Sequence, residues 1–483
     1  MPLDLDDYVR LDAVGLSRLV RSGEVSAHEV TELAVAAIER ANPKLNAVVL
    51  TDFERALASA ERVDRSAPLA GVPFLVKDVD VFVSEWPTTF SSRYFADAVP
   101  RPDSEIVRRW RAAGLVLLGK TNTPEFAEDF VTEPTFRGAT LNPWNPEVTV
   151  GGSSGGAAAA VASGMVPAAH ATDVGGSIRI PASCCGLFGL KPTRGLNPIG
   201  PYYPEMGAGL NCEHVITRTV RDSAAFLDAT AGPEPGGRYH VVRSVPSYLE
   251  ALDMPLGRGL RIACIDRPPN GAKVDSEVLA ALGSAADLLQ RLGYDVVPAE
   301  FPPEAAASDD PVSLWMMDIA LEIRRREKTI GRAPAEGELE RLTWAVLDRV
   351  EAFGALDYLE LRQRAHDVSV AMARRFESFD LIMTPSCATL PPPVGKIDSR
   401  SASFDYDRWS EDGYGFAPFS EIFNVTGQPA ASLPLAMSSE GVPIGIQLAA
   451  RQGEDHVLLA LSARLEAEVG WADRRPPIWA GNC

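Results

Sequence analysis

The spacing of hydrophobic positions along this chain predicts helices and strands in turn. Ser26-Ala-His-Glu29 has the serine and glutamate spacing of a capping box, which predicts a helix that ends near Asn42-Pro43. Thr51-Asp-Phe-Glu54 predicts the start of another helix. The apolar run from Val72 to Val83 is typical of a buried strand, and Lys77 lies inside it.

The alternation continues along the chain and predicts a sheet covered by helices on both faces. Helices are predicted at 103–113, 154–162 and 276–292, and strands at 115–118, 260–265 and 294–297. The block from about 302 to 376 is mostly helical and rich in Glu and Arg, which indicates an insertion packed on the sheet. Loops are predicted at 391–393 and 399–414, and a turn between two strands at 438–441.

Composition narrows the class of protein. The chain has 483 residues, of which 46% are hydrophobic, enough for a sizeable core. Its net charge of −19 disfavours nucleic acid as a partner. Since no apolar run approaches the roughly 20 residues of a membrane span, and the N-terminus lacks a signal-peptide pattern, we expect a cytoplasmic protein without membrane attachment.

The six cysteines show no spacing that indicates a disulfide framework. Cys184 and Cys185 are adjacent in an apolar stretch and are predicted to be core residues. Cys212-Glu-His214 lacks the second ligand pair that a zinc site needs. We therefore expect mostly reduced thiols and no metal.

Two glycine-flanked serines mark the segment from Gly151 to Pro192 as the candidate site. Ser153 lies in Gly-Gly-Ser-Ser-Gly-Gly, and Ser177 follows Asp173-Val-Gly-Gly. Glycine permits turns with positive φ and leaves room for a substrate to reach backbone N–H groups. A serine in such a turn combines a nucleophile with donors for an oxyanion, as acyl transfer requires. Two such turns close together predict one composite site.

Ser177 is the predicted nucleophile, because the residues before it can turn several amides toward one point. The predicted oxyanion hole consists of the amides of Val174, Gly175, Gly176 and Ser177. From the residues alone, Gly-Gly-Ser is also compatible with a plain turn. Lys77 is compatible either with a buried base of lowered pKa or with a side chain that reaches the surface.

Two other motifs compete for the same glycine-rich stretch. Gly151-Gly-Ser-Ser-Gly155 also fits Gly-x-Ser-x-Gly, the nucleophile elbow of α/β-hydrolases, with Ser153 as the nucleophile. His366 and His456 follow it, but neither lies in a recognisable motif, and the His-Gly-Gly-Gly oxyanion segment of that fold is absent. A phosphate-binding loop is excluded because no Gly-Lys-Ser/Thr follows the glycines.

A wider set of segments resembles the amidase signature family, in the family's order and over nearly the whole chain. The segments are 70–78, 118–125, 151–156, 173–183, 186–193, 379–385, 424–430 and 443–447. The resemblance implies an α/β fold in which residues 1–483 form one α/β/α domain around a large mixed sheet. The helical insertion at about 302–376 would then line the substrate side.

The resemblance also implies a role for each candidate residue. Lys77 would be the base, Ser153 a proton relay with a cis peptide bond, and Ser177 the nucleophile of an acyl-enzyme. Ser154 would help to hold the nucleophile, and it is also placed to cap the helix that follows. Asp173 and Arg179 would form a structural pair that orients the loop. Neither a cofactor nor a metal is implied.

Within that family, segments 119–125, 132–134 and 138–144 are similar to those of 6-aminohexanoate cyclic-dimer hydrolases. Aryl-acylamidases and urethanases also belong to the family. We therefore expect hydrolysis of linear, cyclic or aryl amides, with carbamates as an extension, by a monomer or homodimer whose partner is a small-molecule substrate. The pocket is predicted to be built from 126–130, 199–212, 315–319 and 409–423.

The alternative function is the A-type subunit of a glutamine-dependent, tRNA-modifying amidotransferase. That assignment would require partner chains and glutaminase activity. Val174 departs from the threonine that is often present at this position in that subunit.

Overall fold

One mixed β-sheet runs through the computed structural model, which describes residues 3–257, 259–307 and 313–482. Eleven strands form the sheet within these ranges, in the order β1-β3-β2-β4-β6-β5-β10-β11-β9-β7-β8. The strands are β1 (Val48–Thr51), β2 (Pro73–Lys77), β3 (Val116–Thr121), β4 (Ala168–Asp173), β5 (Phe188–Lys191), β6 (Cys212–Thr217), β7 (Arg261–Cys264), β8 (Asp295–Pro298), β9 (Leu381–Pro385), β10 (Ala430–Met437) and β11 (Pro443–Ala450).

Parallel and antiparallel pairs are combined in this sheet. β2 runs parallel to β3 and β4, and β7 runs parallel to β8 and β9. The other neighbouring strands pair antiparallel. The predicted α/β class with a large mixed sheet is therefore confirmed.

Helices of very different length connect the strands. They are α1 (Leu5–Arg10), α2 (Ala13–Ser22), α3 (Ala27–Leu45), α4 (Phe53–Ala60), α5 (Glu105–Ala112), α6 (Gly155–Ala162), α7 (Arg179–Cys185), α8 (Val220–Thr230), α9 (Ser276–Arg291), α10 (Met316–Ile330), α11 (Arg341–Glu351), α12 (Ala355–Arg375), α13 (Tyr406–Phe416), α14 (Ile422–Thr426) and α15 (Asp455–Val469). Within the described ranges, none of them has the length and apolar character needed to cross a bilayer.

The side chains of β2 show that helices cover both faces of the sheet. Successive residues of a strand point to opposite faces. Phe74 packs on Trp110 of α5 and Phe226 of α8. Leu75 belongs instead to the apolar cluster that contains the alanines of α6. The strand is buried on both sides, which explains its continuous apolar run.

The predicted strand Val72–Val83 is wrong in length, since β2 ends at Lys77. The Asp78 carboxylate accepts hydrogen bonds from Lys120 Nζ at 2.9 Å and from the Thr89 N–H at 3.0 Å. Asp80 then adopts a φ of 66°, which an extended strand does not allow. The chain therefore leaves the sheet after Lys77 and turns toward the candidate site.

The predicted loop Ser399–Tyr414 is wrong in its second half, where α13 begins at Tyr406. The Asp405 side chain caps this helix by accepting a hydrogen bond from the Arg408 N–H at 2.9 Å. Trp409, Gly413 and Phe416 form its buried face at helical spacing. Two residues of this helix are glycines, which have low helix propensity, so the sequence pattern did not predict the helix.

Other predicted elements agree with the structure to within a few residues. The capping box of α3 is present, with Ser26 and Glu29 bonded reciprocally, although the helix continues to Leu45. The turn at 438–441 does connect β10 and β11. Cys184 and Cys185 are buried, as predicted. In the block at 302–376, α10, α11 and α12 are helical, and residues 308–312 lie outside the described residues, as does Cys483.

A Gly156→Ala substitution should destabilise the fold, because α6 packs too closely on neighbouring backbone. A Cβ at Gly156 would lie 2.4 Å from the Asn122 nitrogen and 2.7 Å from the Ala47 oxygen. Overpacking of this kind costs about 1–3 kcal/mol. The matched control is Gly283→Ala in the exposed part of α9, where nothing lies within 4 Å and about 1 kcal/mol of stabilisation is expected. Urea unfolding that shifts both variants equally would contradict the close-packing argument.

Candidate active site

Lys77 reaches the site because of its position in β2. It is the last residue of the strand and shares a face with Leu75, the face on which α6 packs. Its side chain has an exposed fraction of 0%. A charged amine is costly to bury, so burial is the dominant influence on its protonation.

The Lys77 amine donates hydrogen bonds to Ser153 Oγ at 2.7 Å and to Thr172 Oγ1 at 2.8 Å. Burial lowers the pKa of this amine to about 8, although the negative charges of Asp80, Glu213 and Asp173 oppose the shift. A neutral amine has two N–H groups and one lone pair. The contact with Ser153 can therefore also run in reverse, with the hydroxyl donating to the lone pair.

Ser153 lies fully buried between Lys77 and the cavity, directly before α6. The peptide bond from Gly152 to Ser153 is cis, which confirms what the family resemblance implied. A Cβ at Gly152 would lie 2.6 Å from the nitrogen of Val131 and 2.7 Å from the carbonyl carbon of Phe130. Only glycine fits this close approach of two backbone segments.

Ser177 lies in the loop between β4 and α7, and together with Ser153 it lines one cavity. It is partly exposed, in contrast to the buried Ser153. The described residues form no hydrogen bond between the two serine hydroxyls. Catalytic hydrogen bonds are often longer without substrate and shorten in the reacting complex, so this arrangement is compatible with a relay.

The four amides predicted to form the oxyanion hole differ in their hydrogen bonds: one is bonded inside the loop, and three are not. The Gly176 N–H donates to Asp173 Oδ1 at 2.9 Å, so this predicted donor is already engaged inside the loop. The amides of Val174, Gly175 and Ser177 have no acceptor within the described ranges, and these residues line the cavity. Of the four predicted donors, these three are therefore the ones that are not bonded inside the loop.

Asp173 and Arg179 form a fully buried bidentate ion pair. Arg179 Nη2 donates to Asp173 Oδ1 at 2.7 Å, and Nε donates to Oδ2 at 2.9 Å. Burial alone would raise the pKa of Asp173, but the Arg179 charge and hydrogen bonds hold it below its usual value. Arg179 also donates to Gln447 Oε1 and the Ser420 carbonyl, both at 2.7 Å. The pair thus ties the Ser177 loop to distant parts of the chain.

Ser154 is at the N-cap position of α6, but its side chain makes no capping bond. Its hydroxyl donates to the Thr172 carbonyl at 3.3 Å, and its N–H donates to the Ser177 carbonyl at 3.2 Å. Ser154 therefore connects α6, β4 and the Ser177 loop.

A buried polar row on β4 and β6 was missed from the sequence. Thr172 accepts a hydrogen bond from the Lys77 amine, and His170 Nδ1 accepts one from the Lys77 N–H at 3.3 Å. His170 Nε2 lies 2.6 Å from Glu213 Oε2 and carries the proton, since Nδ1 is the acceptor. Burial lowers the pKa of His170 well below its usual value. The available signal was the alternation of His170 and Thr172 with the small alanines of β4.

The serines open onto a cavity with an empty volume of about 950 Å³, counting the part open to solvent. All four predicted segments contribute to it, through Phe126–Phe130, Tyr203, Met206, Trp315, Ile319, Trp409 and Tyr414 among others. Other aromatic candidates, such as Phe416 and Phe419, are buried in the core instead. The walls thus combine seven aromatic side chains with six acidic ones, and the two serines lie among them.

The amidase family model matches residues 29–459. A 6-aminohexanoate-cyclic-dimer hydrolase of Paenarthrobacter ureafaciens is 39% identical, over 97% of this chain and 96% of its own length. A solved structure of 6-aminohexanoate cyclic dimer hydrolase complexed with substrate superposes with a TM-score of 0.93 and 37% identity, over 97% of this chain and 99% of the other. A bacterial aryl acylamidase gives a TM-score of 0.86 and 27% identity, over 96% and 98%.

The chain therefore belongs to the amidase family. It is a hydrolase that acts on amide C–N bonds, as the family match and the two kinds of relative agree.

Asp173→Asn should destabilise the protein strongly, because Arg179 would keep a buried charge without its counter-ion. Breaking a buried pair in this way costs about 3–5 kcal/mol. The matched control is Asp295→Asn, which removes the exposed pair with Arg261 at 3.4 Å and should cost about 1 kcal/mol or less. Urea unfolding monitored by fluorescence compares the two. Equal losses would show that the Asp173 pair does not hold the loop.

Proposed function

We propose that this enzyme cleaves apolar or aromatic amides, linear, cyclic or aryl, and also carbamates, through Lys77, Ser153 and Ser177. The observation that carries the proposal is the 2.7 Å hydrogen bond between the buried Lys77 amine and Ser153, beside Ser177 in an aromatic cavity. A lysine whose pKa is lowered toward neutral pH can serve as a base, so that no histidine is needed.

In the acylation step, the Lys77 lone pair takes the proton of the Ser153 hydroxyl, and Ser153 takes the proton of Ser177. The Ser177 oxygen then attacks the carbonyl carbon of the substrate. The amides of Val174, Gly175 and Ser177 stabilise the resulting oxyanion. When the C–N bond breaks, the relay returns a proton through Ser153 to the leaving nitrogen, which departs as a neutral amine.

In the deacylation step, water replaces the amine. It gives its proton to the relay and attacks the acyl carbon, and Ser177 leaves as a hydroxyl. The product is a carboxylic acid. For a carbamate, the same two steps together release the amine, the alcohol and carbon dioxide. The proposed roles of Ser154, Asp173 and Arg179 are to hold this loop, without a part in the proton transfers.

The charge of the cavity argues against a glutamine amidotransferase. In the described residues, the lining contains no Lys, Arg or His, whereas it contains Asp80, Glu128, Asp129, Asp318, Glu322 and Glu421. The α-carboxylate of glutamine would thus meet acidic side chains and no cation. A substrate without a carboxylate suits these walls better. The relatives, named for a cyclic amide dimer and for aryl amides, support the same choice.

We further propose that the enzyme acts as a monomer or homodimer in the reducing cytoplasm, as a single domain with the α10–α12 segment on the substrate side. It would use a small molecule as its only partner, without nucleic acid, membrane, cofactor or metal. The net charge of −19 and the free cysteines support this setting.

Ser177→Ala, Lys77→Ala and Ser153→Ala should each lower amide turnover at least about 10³-fold, because each interrupts the same proton path. Mass spectrometry would follow the products from an anilide, a linear and a cyclic 6-aminohexanoate dimer, an aryl dicarbamate and glutamine. Ser163→Ala is the control, since this buried hydroxyl bonds only to carbonyls of α6 outside the cavity. Turnover of glutamine alone would support the amidotransferase, and an active Ser177→Ala variant would refute the proposed nucleophile.

The rate should rise with pH through the pKa of Lys77. Only the neutral amine accepts a proton, and with a pKa of about 8 roughly a tenth of the enzyme is competent at pH 7. We expect kcat/KM for a neutral anilide to rise from pH 6 and level off above about pH 9. A profile that is flat between pH 6 and pH 9 would exclude Lys77 as the titrating base.

A further inference from the structure

One part of the cavity wall carries a concentration of carboxyl groups that the proposed mechanism does not use. Asp80 lies three residues after Lys77, and Asp318 and Glu322 occupy successive turns of α10, so that they share one face of that helix. Electrostatic interactions connect Asp80 with both Asp318 and Glu322. We refer to these three residues as the acidic end of the cavity.

The acidic end has fewer cationic partners than carboxyls. Glu322 is paired with Arg325 at 2.5 Å and with Arg101 at 3.5 Å. Asp80 and Asp318 form no ion pair within the described residues. Asp318 accepts a hydrogen bond from the Gly207 N–H, which is a neutral donor. Burial, reinforced by neighbouring carboxyls, raises the pKa of Asp318 to about 6 and that of Asp80 well above its usual value.

Tyr203 is a second, independent observation that points to ligand binding at this end of the cavity. Its side chain is 5% exposed and lines the same cavity. Its hydroxyl has no hydrogen-bond partner within the described ranges, although a buried tyrosine hydroxyl normally has one. Glu322 and Asp80 act on this hydroxyl electrostatically, which places it at the acidic end.

We propose that the acidic end binds a primary ammonium group of the substrate. Because an ammonium has three N–H donors, Asp80, Asp318 and Tyr203 can each accept one. Trp315 also lines the cavity and can contribute a cation–π contact. The substrate class would be amides or carbamates that carry a free aliphatic amine some carbons away from the scissile carbonyl. This inference rests on the proposed amide hydrolysis at Ser177.

The test compares substrates that differ only at their far end. In the first series, 6-aminohexanoyl 4-nitroanilide carries an ammonium, heptanoyl 4-nitroanilide a methyl group in its place, and the adipic acid mono-4-nitroanilide a carboxylate. In the second series, N-acetyl-1,6-diaminohexane is compared with N-heptylacetamide, which moves the ammonium to the amine side. The measured quantity is kcat/KM at pH 7.5.

We expect the ammonium substrate to be preferred at least tenfold over its methyl isostere in one of the two series, and the carboxylate to be the poorest. The preferred series identifies the side of the scissile bond that faces the acidic end. Equal kcat/KM values within both series would overturn the ammonium site while leaving the proposed hydrolase intact. Failure to cleave any of the substrates would instead count against the proposed function.

Two conservative variants test whether the preference for ammonium substrates arises at the acidic end. Asp318→Asn and Tyr203→Phe should each lower the ratio of kcat/KM between ammonium and methyl substrates at least fivefold, mainly through KM of the ammonium substrate. Glu327→Gln is the control, since it removes the same charge from an exposed position of α10 and should keep the ratio. A thermal melt establishes that each variant is folded. An unchanged ratio in both folded variants would refute the site.

Discussion

The burial of one amine governs the rest of the site. Lys77 ends a strand that is covered by helices on both faces, so its charge has no access to bulk water. The site compensates with two hydroxyl partners, Ser153 and Thr172, rather than with a carboxylate. A carboxylate in direct contact would favour the charged form of the amine and so oppose the fall in pKa that burial causes. Lys120 shows that alternative on the neighbouring strand, where it is bonded to Asp78 at 2.9 Å.

The proposed mechanism also requires a Ser177 loop whose amides are not all bonded within the loop itself. Asp173 meets this requirement by engaging the Gly176 and Ile178 N–H groups and Arg179, so that its own lone pairs are used inside the loop. The amides of Val174, Gly175 and Ser177, which line the cavity, then have no acceptor within the described residues. Because Arg179 is also held by Gln447 of β11, the shape of the loop depends on packing across the sheet. Preorganised donors of this kind need little rearrangement as negative charge develops.

Local sequence signals predicted the parts of the structure that local physics determines. The capping box at Ser26, the apolar strand around Lys77 and the glycine turns at Ser153 and Ser177 are all properties of a few adjacent residues. What required the structure is non-local: β2 ends early because Asp78 bonds to Lys120 and Thr89, and the Gly176 amide is turned toward Asp173. The acidic end combines side chains from two segments that are more than 200 positions apart, and no spacing rule relates them.

The acidic end and the base also influence each other. The negative charge of Asp80 raises the pKa of Lys77 and so opposes the effect of burial, which keeps part of the Lys77 amine protonated near neutral pH. A bound ammonium would offset that negative charge, and its own positive charge would disfavour protonation of Lys77. Binding of a cationic substrate would therefore shift Lys77 toward the neutral amine. Recognition at one end of the cavity and activation of the base at the other would then follow from the same electrostatic contact.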